Sequence, residues 1–219
     1  KRNNFNVISF DLPGHGLSNG MRSKVDSFDS YAVALKEVVS QTKDLQTDKT
    51  YYMGFSTGAV GIITHLLQND DLGFEKIFFV APLVDVYMKR YLDKANYLLS
   101  RTTEYIPRFK TSSTSNNPDF FTYRDSDALT PDFSSTQWYT QFVYWNRKIW
   151  NTNVVIDADI TVIQGTADKT VDHEKGIEWM TKHVRNPKFV IIENGPHQLL
   201  LDTDEVRNTV FSTIIEGTK

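Results

Sequence analysis

Apolar residues fall along this chain in two alternating rhythms. Five short runs, Phe5–Phe10, Tyr51–Gly54, Lys76–Ala81, Ile160–Gln164 and Phe189–Glu193, are rich in Val, Ile and Phe and do not alternate strictly with polar residues. This is the pattern of parallel strands covered on both faces, so each run predicts a buried strand. Between them, apolar residues recur at helical spacing. Tyr31, Ala32, Leu35, Val38 and Val39 form one stripe, Val60, Ile63, Leu66 and Leu67 a second, and Ile177, Met180 and Val184 a third. Strand and helix in alternation predict an α/β fold: a parallel sheet flanked by helices.

The rhythm breaks between Val84 and Asn153. That stretch reads as helical over Tyr87–Ser100, polar and turn-rich from Thr111 to Asp119, and strongly aromatic over Trp138–Trp150, where Trp138, Tyr139, Phe142, Tyr144, Trp145 and Trp150 crowd together. An insertion of roughly 70 residues is too long for a structureless loop in a compact domain. The expected division is therefore a core of residues 1–84 and 154–219, with residues 85–153 as a helical cap. The tryptophans fit packing of that cap against the core as well as they fit contact with a ligand.

Composition narrows the function classes. A chain of 219 residues suffices for one domain with a cap, and 40% hydrophobic and 23% charged residues are ordinary for a globular protein. A net charge of −3 gives no basic face for nucleic acid. No stretch reaches the roughly 18 apolar residues a transmembrane helix needs. The chain has no cysteine, which excludes disulfides, thiolate zinc sites and a cysteine nucleophile, and fits a reducing compartment such as the cytoplasm. No histidine pair has metal-site spacing with a carboxylate, so neither a metal nor another cofactor is expected.

The chemistry concentrates at strand ends. Gly54-Phe55-Ser56-Thr57-Gly58 lies between a strand and a helix, where a tight turn holds a serine exposed in a strained conformation. The flanking glycines are expected because a side chain at either would collide with the neighbouring strand or helix. The turn also aims the backbone amide of Thr57 and the helix N-terminus at a developing oxyanion. Asp168 follows the strand Ile160–Gln164, and His197 follows the last strand, so both belong to the same sheet edge as Ser56. The chain order Ser, Asp, His then assigns Ser56 as nucleophile, His197 as base and Asp168 as its orienting acid, with Asp172 as the alternative acid. His15, His65, His173 and His183 read as structural residues.

Asp11-Leu12-Pro13-Gly14-His15-Gly16-Leu17-Ser18, the Gly-Phe-Ser-Thr-Gly turn, the run Gln164–Asp172 and Gly195-Pro196-His197 together resemble the lysophospholipase and monoacylglycerol lipase branch of the α/β-hydrolases. The resemblance covers about residues 1–85 and 155–219 and is weak across the cap. It implies hydrolysis of acyl esters of monoacyl lipids by Ser56, Asp168 and His197, with a cap shaping an acyl tunnel. Peripheral contact with a membrane is compatible with it. Phe55 and Thr57 depart from the family's usual His and Met. Relatives also begin with three strands, the third followed by a His-Gly motif that supplies a second oxyanion amide. This chain opens at the equivalent of the fourth strand, so an upstream segment carrying that donor is expected. Two other readings stay open. One is a peptidase on the same scaffold, with Glu104 or Asp119 available to bind a free N-terminus. The other is a binding domain that keeps the fold without catalysis.

Overall fold

The computed structural model describes residues 5–45, 49–68, 73–108 and 112–219. In chain order these hold α1 (Asp29–Gln41), β1 (Tyr51–Phe55), α2 (Gly58–Leu67) and β2 (Lys76–Val80). Next come α3 (Lys89–Leu99), β3 (Tyr105–Pro107), α4 (Pro118–Ser126), β4 (Phe133–Ser135) and α5 (Thr136–Trp150). The chain closes with β5 (Ile160–Gly165), α6 (His173–His183), β6 (Lys188–Ile192) and α7 (Asp204–Glu216).

The central sheet has the order β1-β2-β5-β6, and each neighbouring pair is parallel. Both faces of its middle strands are covered, as their continuous apolar runs require. On one face Ile77 and Phe79 of β2 and Ile160 and Val162 of β5 join residues of α1, α2, α5 and α6 in the main core. On the other face Val80 and Ile163 pack with Leu199 and with Val210 of α7. The period of two along each strand divides its side chains between these layers.

The first predicted strand does not form. Residues Phe5–Phe10 carry no ladder, and Val7 is 84% exposed. β1, the nearest strand, pairs only with β2 among the described residues, although the Phe5 ring meets Tyr51 edge-on at 6.5 Å. A strand exists only through its neighbours' hydrogen bonds, and apolar β-branched composition cannot replace them. The other four predicted strands form within one residue of their expected ends.

Several elements lie beyond the sequence reading. The hairpin-like pair β3–β4 and helix α4 occupy the stretch between α3 and α5. Pro118 is the first residue of α4, behind Asn117, whose side chain accepts the Asp119 amide. α7 carries Asp204 and Glu205 in its first turn, suited to the positive end of the helix dipole. α5 is built into the main core through the buried Phe142, Trp145 and Ile149. α3, by contrast, buries no residue.

Trp179 is fully buried and donates its indole N–H to the Ile149 carbonyl at 3.1 Å, joining α6 to α5. Trp179→Ala is expected to cost about 3–5 kcal/mol by urea unfolding. Leu98→Ala on exposed α3 is expected to stay within about 0.5 kcal/mol of the parent.

Candidate active site

β1 ends at Phe55 and α2 begins at Gly58, so only Ser56 and Thr57 join them. Ser56 adopts φ +48°, a left-handed conformation that costs an L-residue on the order of 1–2 kcal/mol. Three backbone hydrogen bonds hold it there. The Ser56 amide donates to Val80 O at 3.1 Å, and its carbonyl accepts from the amides of Ala59 and Leu83, both at 3.0 Å. The turn is thus locked to the end of β2 and to the first turn of α2, which keeps the hydroxyl outside both elements.

Of the two flanking glycines, only Gly54 is sterically required. A Cβ on Gly54 would lie 2.7 Å from the Ala59 Cα, whereas one on Gly58 would meet nothing within 4 Å. The expected collision at Gly58 is therefore corrected: the space beside the first residue of α2 is open.

The structure brings Ser56, His197 and Asp168 into one hydrogen-bonded line. His197 Nε2 lies 2.9 Å from Ser56 Oγ, and His197 Nδ1 lies 2.7 Å from Asp168 Oδ2. Asp168 is buried, yet its oxygens are fully engaged. Oδ1 accepts the amides of Thr170 at 2.8 Å and Val171 at 3.0 Å, and Oδ2 also accepts from Gln164 Nε2 at 3.3 Å. With Nδ1 donating to Asp168, Nε2 is left to accept from the Ser56 hydroxyl. Asp172, the alternative acid, instead accepts the Lys175 amide at 3.0 Å as the N-cap of α6. The Thr57 amide, at the N-terminus of α2, has no hydrogen-bond acceptor among the described residues.

Close backbone contact sets the distance between the acid and histidine loops. A Cβ on Gly165 would fall 2.1 Å from Gly195 O, and one on Gly195 would fall 3.1 Å from the Gly165 Cα. The Ala167 amide donates to Gly195 O at 3.0 Å and the Thr166 amide to Ile192 O at 3.1 Å. The acid loop also receives the chain leaving β2. Val86 bridges Val171, the Tyr87 amide donates to Thr170 O at 3.1 Å, and the Asp172 amide donates to Asp85 O at 3.0 Å. Burial raises the pKa of the Asp85 carboxyl, against the opposing hydrogen bond from the Val86 amide. Sequence reasoning missed the Gly165–Gly195 contact. Its only signal is a glycine just after each of two strands.

The other candidates lie elsewhere. His65 is buried in α2, and His183 stacks on Trp179 with ring centroids 5.0 Å apart. His15 Nδ1 sits 3.2 Å from Pro13 O in its own turn, where burial lowers its pKa. His173 opens α6. Glu104 is engaged with Lys24 at 3.1 Å, and Asp119 lies in the first turn of α4.

Comparison with known proteins agrees with the fold. The family model described as "Serine aminopeptidase, S33" matches residues 1–204. A monoglyceride lipase homolog of monkeypox virus is 24% identical over 95% of this chain and 77% of its own length. The phospholipase YtpA of Bacillus subtilis is 23% identical over 80% of this chain and 70% of its own. Among solved structures, the monoacylglycerol lipase of Paleococcus ferrophilus superposes with a TM-score of 0.80 at 19% identity, covering 96% of this chain and 81% of that one. A soluble variant of the monoglyceride lipase of Saccharomyces cerevisiae, in complex with a substrate analog, gives 0.79 at 16% identity over 95% of this chain and 75% of that one. These structures share the α/β-hydrolase architecture.

The two glycines of the serine turn are expected to respond differently. Gly54→Ala should destabilise the fold by about 1–3 kcal/mol through overpacking against α2. Gly58→Ala should be neutral or stabilise by up to about 1 kcal/mol, since alanine favours a helix where space is open. Thermal melts of the two variants check both outcomes.

Proposed function

The chain belongs to the serine aminopeptidase S33 family of hydrolases, and from that premise we propose that it is a serine-dependent carboxylic-ester hydrolase acting on acyl esters of monoacyl lipids. The observation that carries this reading is the line Ser56–His197–Asp168 with the serine on a turn of positive φ. In the proposed reaction Ser56 Oγ attacks the acyl carbonyl carbon while His197 Nε2 takes its proton. Asp168 holds Nδ1–H and stabilises the imidazolium. The tetrahedral oxyanion accepts a hydrogen bond from the Thr57 amide at the positive end of α2. Collapse expels the alcohol, which takes the proton from His197. Water activated by the same imidazole then releases the fatty acid and restores Ser56.

Support for a lipid substrate comes from the named relatives and from α3. On this helix the polar side faces the protein: Asp93 accepts from the Tyr139 hydroxyl at 3.0 Å, and Asn96 Nδ2 donates to Thr140 Oγ1 at 2.8 Å. Tyr91, Leu92, Leu98 and Leu99, at i, i+1, i+7 and i+8, face solvent instead, with Arg90 and Lys94 beside them. This is an inverted arrangement for a globular helix and suits one resting at a lipid–water boundary. We assign residues 85–153 as a cap that meets such a surface through α3. The contact proposed is a peripheral one; among the described residues no helix is long and apolar enough to cross a membrane. The absence of cysteine is the support for a cytoplasmic placement.

The family's description gives the peptidase reading its own support. Faster cleavage of an aminoacyl-naphthylamide than of any simple ester would favour that alternative.

Hydrolysis of a p-nitrophenyl ester series, acetate to palmitate, tests the proposal. Turnover with a medium- or long-chain optimum is expected, lost on the order of a millionfold in Ser56→Ala and about ten-thousandfold in Asp168→Asn. Full activity in Ser56→Ala, or failure of a well-folded protein to react with a fluorophosphonate, would end the reading and leave a binding domain. Leu98→Glu is expected to lower cosedimentation with anionic vesicles at least severalfold while leaving p-nitrophenyl acetate turnover unchanged.

A further inference from the structure

Asp202 is a fully buried carboxylate outside the serine–histidine–aspartate line. Among the described residues no cation pairs with it, and its hydrogen-bond donors all come from the segment that precedes α4. Oδ2 accepts the Asn116 amide at 2.6 Å and the Ser115 hydroxyl at 3.0 Å, and Oδ1 accepts from Asn116 Nδ2 at 3.4 Å. Ser115 is itself buried, and its Oγ accepts the Asn117 amide at 3.0 Å. Asn117 caps α4, so the chain of hydrogen bonds runs without a break from Asp202 into that helix.

The same two segments meet again four residues earlier in the chain. The amide of Gln198, next to His197, donates to Thr114 O at 2.8 Å. Asn117 Nδ2 adds a longer bond to Leu201 O at 3.4 Å. Residues 197–202 carry the imidazole at one end and the buried carboxylate at the other, with a short 3-10 turn over Leu199–Leu201 between them. If residues 114–117 moved away, Asp202 would lose these hydrogen bonds from the protein.

Taking the proposed hydrolase reading as its basis, we propose that Asp202 is a positioning residue for His197. Its carboxylate fastens residues 114–117 of the cap onto the loop that carries the imidazole. The seating of the cap over the site and the seating of His197 against Ser56 are then one variable. Asp202 touches no reacting atom and acts only through the Gln198–Thr114 contact and the backbone that leads to His197. A displaced cap would carry the imidazole off its line to Ser56, whose 2.9 Å contact tolerates little movement.

Three variants test this in the full chain, each read by turnover of p-nitrophenyl acetate and by amide hydrogen exchange. The small substrate needs little of the cap for binding, so a positioning role shows in kcat and not in KM. Asp202→Ala is expected to lower kcat about tenfold or more while KM changes less than about threefold. Asp202→Asn, which keeps an acceptor for the Asn116 amide, should recover most of that loss. Ser115→Ala, made on the cap side and away from His197, should lower kcat by a smaller factor. It and Asp202→Asn carry the test if Asp202→Ala fails to fold. In every folded variant with reduced kcat, residues 112–117 and 195–203 should exchange faster together. Faster exchange at 112–117 with 195–203 and kcat unchanged would overturn the proposal, because the latch would then serve the cap alone. A parent protein that hydrolyses no ester would sink the hydrolase reading. The exchange experiment would still decide whether Asp202 holds the His197 loop, since coupled exchange supports it and uncoupled exchange overturns it.

Discussion

All four strands of the central sheet run the same way, and the rest of the molecule depends on that shared direction. Parallel strands place their carboxyl ends along one edge, so the loops leaving β1, β5 and β6 emerge side by side. Asp168 and His197 lie 112 and 141 positions from Ser56 in sequence, yet each of the three needs only a few residues beyond its strand to reach the others. Direction alone does not bring them to hydrogen-bonding distance. β5 and β6 are neighbours, and the final approach of their loops is made by backbone against backbone at Gly165 and Gly195, where any side chain would hold them apart. The serine reaches the same place from β1, through a turn held to the end of β2 by the Ser56 amide.

Two buried carboxylates serve this edge by the same electrostatic means. Among the described residues neither Asp168 nor Asp202 pairs with a lysine or arginine, and each accepts from N–H and O–H donors. In a low-dielectric setting such donors are strong and directional, and their loss is expensive. Asp168 turns one oxygen to its own loop and the other to the imidazole. Asp202 directs both oxygens at a distant segment. The difference lies in which part of the chain supplies the donors.

The stretch between β2 and β5 has a matching asymmetry. α5 is bound into the main core by Phe142, Trp145 and Ile149, while α3 faces its apolar stripe outward and is held by polar contacts to α5. One helix anchors the insertion and the other presents a surface. This arrangement makes sense of a lipid substrate more readily than of a freely diffusing peptide, because an exposed apolar helix costs solubility unless something covers it.

The sequence by itself determined the strands β1, β2, β5 and β6, the helices α1, α2, α3 and α6, and the three residues of the hydrogen-bonded line. These were legible because each rests on local physics: apolar periodicity set by backbone geometry, and chemistry-bearing residues just beyond strand ends. Only tertiary structure decided the rest. Phe5–Phe10 has strand composition but no strand, since the ladder must come from a partner. Gly58 proved spatially free while Gly165 and Gly195 proved essential to a contact, since a Cβ's neighbours depend on how distant loops pass. Asp202 looks in the sequence like one acidic residue ahead of α7. Its meaning depends on donors 86 and 87 positions away, and nothing in the local pattern encodes a partner at that range.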